Sequence, residues 1–223
     1  CRLSESQCVF EATDVDTLVA AITAANADAA RDTICVGPAN ADVANQTQCA
    51  DDPVDAACTH ITFEAASATD ATLGDLALPA ITTPMTIEGC EKDATFSVLD
   101  DNADLRIFVV TVDPVLDVQP DLVLKNVAIV DARPAADAQG DRTGGAAIHV
   151  TNAAKNLPPL AMLDVQDLAP TDTRGGGDVG DAPVFLAGGD ATFTTCTFTV
   201  FDGNIAGAIE YASAAGTLRL VTS

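Results

Sequence analysis

Asp190-Ala-Thr-Phe193-Thr-Thr-Cys196-Thr-Phe198-Thr-Val-Phe-Asp202-Gly203-Asn204-Ile-Ala-Gly207-Ala-Ile209-Glu-Tyr211 holds two short β-rich runs split by Asp202-Gly203-Asn204. Gly and Asn accept positive φ at little cost, so the triplet is turn chemistry. In the first run the buriable side chains Phe193, Cys196 and Phe198 are spaced by three and then two. A flat strand keeps a spacing of two throughout. A corner between Phe193 and Cys196 explains the slip, and strand, corner, strand, turn, strand is the order in which a β-solenoid coil is built.

The same grammar occurs upstream. Leu124, Val127 and Ile129 repeat the spacing, which puts Asn126 where Thr195 falls. Met162 and Val165 match as well, but the third position of that copy is Asp167. A Gly-rich stretch and a small-residue strand follow the first and last copies, Gly145-Ala-Ala-Ile148-His149-Val150 and Gly207-Ala208-Ile209-Glu210-Tyr211. The middle copy offers Gly175-Gly-Gly177 and then Pro183-Val184-Phe185-Leu186. Aligned this way the copies are 38 residues apart (Val127 to Val165) and then 31 (Val165 to Cys196), a drifting period of the kind stacked repeats show.

Cys196-Thr-Phe198, Gly203-Asn204 and Gly207-Ala208-Ile209 resemble the right-handed parallel β-helix repeats of surface proteins of the polymorphic outer-membrane protein type. A second likeness lies in Leu18-Val-Ala-Ala-Ile22-Thr-Ala-Ala-Asn26 followed by Asp32-Thr-Ile34, since such a helix often opens that family's β-helix; the Cys, Arg and Glu usual in it are missing here. The resemblance implies an all-β fold: a right-handed parallel β-helix, or solenoid, with a short N-terminal capping helix. The whole of residues 1–223 then forms a single domain, with a disulfide-stapled cap and loop over 1–58 and β-helix rungs over 59–223.

Composition bounds the partners. Asp+Glu number 33 against Lys+Arg 10, a net charge of −23, which repels phosphate backbones and anionic lipid. Nucleic acid is therefore excluded as a partner, and no apolar run approaches the roughly 20 residues a membrane span needs. A hydrophobic share of 48% excludes wholesale disorder, while aromatics at 4% and no Trp argue against a sugar-stacking cleft. No basic stretch followed by an apolar one opens the chain, so an exported protein would be represented here in mature or excerpted form.

Seven cysteines stand at 1, 8, 35, 49, 58, 90 and 196, with no Cys-x-x-Cys pair, and six of them fall in the first 90 residues. That distribution suits disulfide stapling of an irregular end in an oxidising compartment. The local pairings Cys1 with Cys8 and Cys49 with Cys58 are favoured, and Cys35 with Cys90 follows by elimination, leaving Cys196 as a buried apolar residue. Asp14 or Asp16 can cap a helix with Leu18, Val19, Ile22 and Ala25 on one face, ended at Asn26, and Asp32–Val36 reads as the first strand. Further strands are expected over His60–Glu64, Met85–Gly89, Phe96–Leu99, Leu105–Val110, Leu122–Val130 and Thr217–Val221.

Chemistry-bearing groups are sparse. Asp100, Asp101, Asn102 and Asp104 place several oxygen ligands within a few residues, as do Asp172, Asp178 and Asp181, and either group could hold Ca²⁺ or form solvated turns. Neither has EF-hand spacing, so no cofactor is required. An enzyme of the polysaccharide lyase or hydrolase kind would need paired carboxylates and a base. Arg106, Arg133, Arg142, Arg174 and Lys125 are the basic residues near the middle of the chain, and no carboxylate pair is marked out. His149 follows Ile148 and so points to the other face of its strand, where an exposed histidine is expected. The threonines at 192, 194, 195, 197 and 199 form a Thr-x-Thr pattern in one rung, which β-propensity explains without an ice-binding face.

These observations favour a non-catalytic, secreted or cell-surface structural protein: an adhesin-like module or a filament subunit that self-associates through its β-helix ends. The alternatives are a carbohydrate-active β-helix enzyme and a module that binds extracellular glycans.

Overall fold

Asp14 starts a helix because its backbone is extended, at φ −153°, and its carboxylate accepts the Thr17 N–H at 2.8 Å. The Thr17 hydroxyl in turn accepts the Asp14 N–H at 3.2 Å, a reciprocal capping box. Helix α1 (Val15–Ala25) then buries Leu18, Ala21, Ile22 and Ala25 along one face. Asn26 ends it and ties the end down: its amide donates to the Ala80 carbonyl at 2.7 Å and accepts the Thr82 N–H at 3.0 Å. The buried Thr83 hydroxyl satisfies the Ala25 carbonyl that the helix leaves over, at 3.0 Å. Asn26→Ala is therefore expected to cost about 2 kcal/mol, read as a lower urea midpoint at unchanged slope.

The computed structural model describes residues 8–37, 59–89, 94–98, 105–112, 118–125, 127–130, 132, 145, 147–151, 162–166, 184–186, 190–194, 209–211 and 218–221. Strands are numbered along the chain. The largest sheet is parallel throughout and runs in the order β1 (Phe10–Ala12), β2 (Asp32–Val36), β6 (Pro84–Gly89), β9 (Asp121–Lys125), β12 (Met162–Gln166), β14 (Asp190–Thr194), β16 (Leu218–Val221). A second parallel sheet joins β3 (His60–Phe63), β7 (Ala94–Val98) and β10 (Val127–Val130). A third joins β8 (Phe108–Val110), β11 (Ile148–Val150), β13 (Val184–Leu186) and β15 (Ile209–Tyr211). The fourth is an antiparallel pair, β4 (Ala68–Asp70) with β5 (Gly74–Leu76).

Register explains the core. Ile34, Ile87 and Leu124 follow one another across the largest sheet, as do Met85 and Leu122, and all five side chains are buried. Phe63 stacks on Phe96 at 6.5 Å between ring centres, and Phe96 meets Phe108 edge-on at 5.5 Å, so the aromatics bridge the second and third sheets. Lys125 ends β9 and Val127 begins β10, and the two strands belong to different sheets; Asn126, where a corner is expected, lies outside the described residues. Arg31, just before β2, makes an ion pair with Asp121 at the start of β9.

Three expectations are corrected. The expected all-β right-handed parallel β-helix with its capping helix does not hold. The strands are three to six residues long and fall into four separate sheets, one of them antiparallel. The α1 face is part of the same apolar core, so the arrangement is mixed and α/β-like, and among the described residues no solenoid is found. The physical reason lies partly in a turn at Asp70–Gly74, which folds its segment back on itself. The repeat alignment also shifts: Val165, not Met162, stands in register between Leu124 and Phe193, giving steps of 41 and 28 residues. The imperfect third position at Asp167 was the sign of that slip. Lastly, Cys8 is bonded to Cys35, with Cα atoms 5.7 Å apart, so neither the Cys1–Cys8 nor the Cys35–Cys90 pairing stands. Cys1, Cys49, Cys58, Cys90 and Cys196 lie outside the described residues.

Candidate functional site

The densest group of chemistry-bearing side chains gathers where the antiparallel hairpin covers the third sheet. The hairpin forms because the Asp70 carboxylate accepts the Thr72 N–H at 2.7 Å, the Thr72 hydroxyl at 2.7 Å and the Leu73 N–H at 3.0 Å. Gly74, at φ +78°, supplies the left-handed residue that closes the turn. Thr69 and Asp75 pair directly across the strands through a 2.8 Å hydroxyl–carboxylate bond. Leu73 and Leu76 are thereby laid on Val109, forming a small apolar cluster apart from the main core, with Ala68 and Ala80 at its margin.

Arg106 lies beneath this hairpin and is 0% exposed. Its backbone takes part in the pairing, donating to the Asp75 carbonyl at 3.2 Å and accepting the Ala77 N–H at 2.8 Å. Its Nε donates to the Leu73 carbonyl at 2.9 Å, inside the turn itself. His149, in register between Val109 and Phe185, is only 4% exposed and stacks on the Phe185 ring at 5.0 Å. The expectation of an exposed histidine is thus corrected: His149 does face away from the main core, but Phe185 and a close backbone cover it. Gly145, at φ +89°, makes that cover possible, because a Cβ there would lie 2.9 Å from His149 Nδ1 and 2.8 Å from the Ile148 carbonyl.

Electrostatics tie the two layers together. Burial pushes the Asp70 carboxyl up, but the hydrogen bonds from Thr72 and Leu73 and the charge of His149 outweigh it, leaving the group below its ordinary value. A carboxylate with a depressed pKa contributes stability above its unfolded value that is lost as pH falls through its folded one. Asp70→Asn is expected to cost about 1 kcal/mol at neutral pH, with the difference from wild type shrinking as pH falls below the ordinary carboxylate value and through the lowered folded one in acid titrations of stability. Asp32 behaves oppositely. It sits beside the buried Met85 in register, and burial first and Asp28 second raise its carboxyl above the usual range.

The buried Arg106 ties the hairpin to the strand β8 side, while the half-buried Asp70 holds the turn and feels the charge of the buried His149. Acid–base chemistry is within the repertoire of an Asp–His pair, but here burial keeps the imidazole and the guanidinium from bulk solvent. The calcium candidates Asp100, Asp101, Asn102 and Asp104 lie outside the described residues, as do Asp172, Asp178, Asp181, Arg133, Arg142 and Arg174. Among the described residues no group of three or more His, Cys, Asp or Glu side chains is placed to hold a metal ion, and no helix is long and apolar enough to cross a membrane. Of the sequence candidates, Arg106 and His149 are brought to one region, whereas Lys125 lies on β9 in a different sheet. Asp70 went unnoticed in the sequence, though Asp70-Ala-Thr-Leu-Gly74 carries the turn signal.

No protein-family model matches the chain, and no curated protein or solved structure does either, so none identifies the surface-protein repeat type that the sequence resembles.

Proposed function

We propose that the protein is a non-catalytic structural module of an extracellular or cell-surface assembly. The observation that carries this reading is the burial of the arginine and histidine that a catalytic reading would use: Arg106 bonds to the carbonyl of Leu73 in the hairpin turn, and His149 is stacked on Phe185 within the third sheet. The Cys8–Cys35 bond supports an oxidising setting, since disulfides persist outside the reducing cytosol. The net charge of −23 supports solubility at an exposed surface.

The reading is tested by incubating the protein with a panel of acidic and neutral polysaccharides and following new reducing ends and the absorbance of unsaturated products. No product above the blank is expected. Depolymerisation that disappears in a folded His149→Gln variant would overturn the proposal and establish a carbohydrate-active enzyme instead.

A further inference from the structure

Asp32 opens β2 and is only 8% exposed, yet among the described residues its carboxylate has no hydrogen bond and no ion pair. Water is largely excluded from it, and no described group takes the water's place. A carboxyl so placed favours its neutral form, because moving a charge out of water without a partner costs far more than moving the uncharged acid.

The charges nearby add to that cost. Asp28 lies on the same turn, where its Oδ1 accepts the Ala30 N–H at 2.7 Å, and its charge opposes ionisation of Asp32 on top of burial. Arg31, the adjoining cation, is committed to Asp121 at the start of β9. From β6 the uncharged Met85 meets Asp32 in register, while Glu11 and Glu88 stand in register with Cys35, on the opposite face of the sheet. Cys8, just before β1, is bonded to Cys35 and does not titrate.

The turn that carries Asp28 is pinned at both ends. At one end the Asn26 amide donates to the Ala80 carbonyl and accepts the Thr82 N–H; at the other, Asp32 is laddered to β6. Two like charges between those anchors can part only if the turn or the end of α1 gives way. We propose that Asp32 is a proton-operated latch on the turn joining α1 to β2, closed while its carboxyl is neutral and loosened when the carboxyl ionises beside Asp28. A carboxyl that holds its proton more firmly in the folded chain contributes stability that is fully present below its unfolded value and lost as pH rises through its folded one. The latch therefore tightens on acidification. Asp14 and Asp70 have the opposite sign, and their contributions are lost as pH falls below the ordinary carboxylate value, so the two effects occupy separate windows.

The test is amide hydrogen exchange of the 223-residue chain by NMR from about pH 4 to about pH 7, corrected for intrinsic exchange, with the Asp32 carboxyl carbon titrated in parallel. The Asn26 and Ala27 amides, which donate to the Ile22 and Ala24 carbonyls at 2.9 and 3.0 Å, should lose protection several-fold as pH rises across that range, while amides of β6 and β9 keep theirs. Asp32→Asn should abolish the fall, and Asp28→Asn, which keeps an oxygen for the Ala30 N–H, should reduce it. Protection indifferent to pH, or a fall that survives in a folded Asp32→Asn variant, would overturn the latch. So would an Asp32 carboxyl that titrates at or below the ordinary aspartate value, a result that needs no variant.

Discussion

Arg106→Ala is expected to lose about 3–4 kcal/mol of folding free energy, the larger part of what holds the hairpin in place. Three effects add. The substitution removes a large, fully buried side chain and leaves a cavity that its neighbours refill only in part. It leaves the Leu73 carbonyl, inside a turn already committed to the Asp70 carboxylate, without its 2.9 Å donor. It also removes a cation from a chain with 10 Lys and Arg against 33 Asp and Glu. Arg106→Met separates the first effect from the others, because it keeps most of the stem while discarding the hydrogen bonds, and a loss of about half that size is expected. Urea unfolding followed by circular dichroism measures both, and hydrogen exchange at the Ala77 amide, which bonds to the Arg106 carbonyl, reports whether the hairpin opens first. A loss below 1 kcal/mol for the alanine variant would mean that the guanidinium does not brace the fold, and a ligand-binding role would have to be considered for it.

The helix and the break between β9 and β10 were legible in the sequence because each is specified locally. Asp14, Leu18, Ile22 and Asn26 are a cap, a face and a stop within one short segment, and the slip in spacing between Leu124 and Val127 falls where β9 gives way to β10. The strand registers were legible only in part, since β12 offers two candidate anchors, Met162 and Val165, and spacing alone chose the wrong one. The division into sheets was not legible. It depends on Asp70 turning the chain back so that Ala68 meets Leu76, and an Asp-x-Thr sequence signals a turn without saying which surface the hairpin will cover. Burial of Arg106 and His149 was hidden for the same reason: Val109 and His149 point away from the main core, and their cover comes from residues far along the chain. Disulfide pairing was misjudged because sequence nearness favoured Cys1 for Cys8, whereas pairing of β1 with β2 brings Cys8 to Cys35 across 27 residues.

That bridge carries the second large effect. The Cys8→Ala, Cys35→Ala double variant is expected to lose roughly 3–4 kcal/mol, from the loop-closure entropy returned to the unfolded chain by a separation of 27 residues. Replacing both partners avoids leaving a free thiol to pair with one of the other five cysteines, which reduction of the whole protein would not. The loss should be uneven. The bridge encloses β1 and α1, and β1 is only three residues long, held by its ladder to β2 and by bonds such as Val9 N–H to the Thr33 carbonyl at 2.8 Å. Without the bridge, amides of Val9 and Gly37 should exchange well before those of β6 and β9, so the β1–α1 end opens as a unit while the middle of the sheet stays closed. Uniform acceleration across the sheet would show instead that the bridge acts on global stability alone.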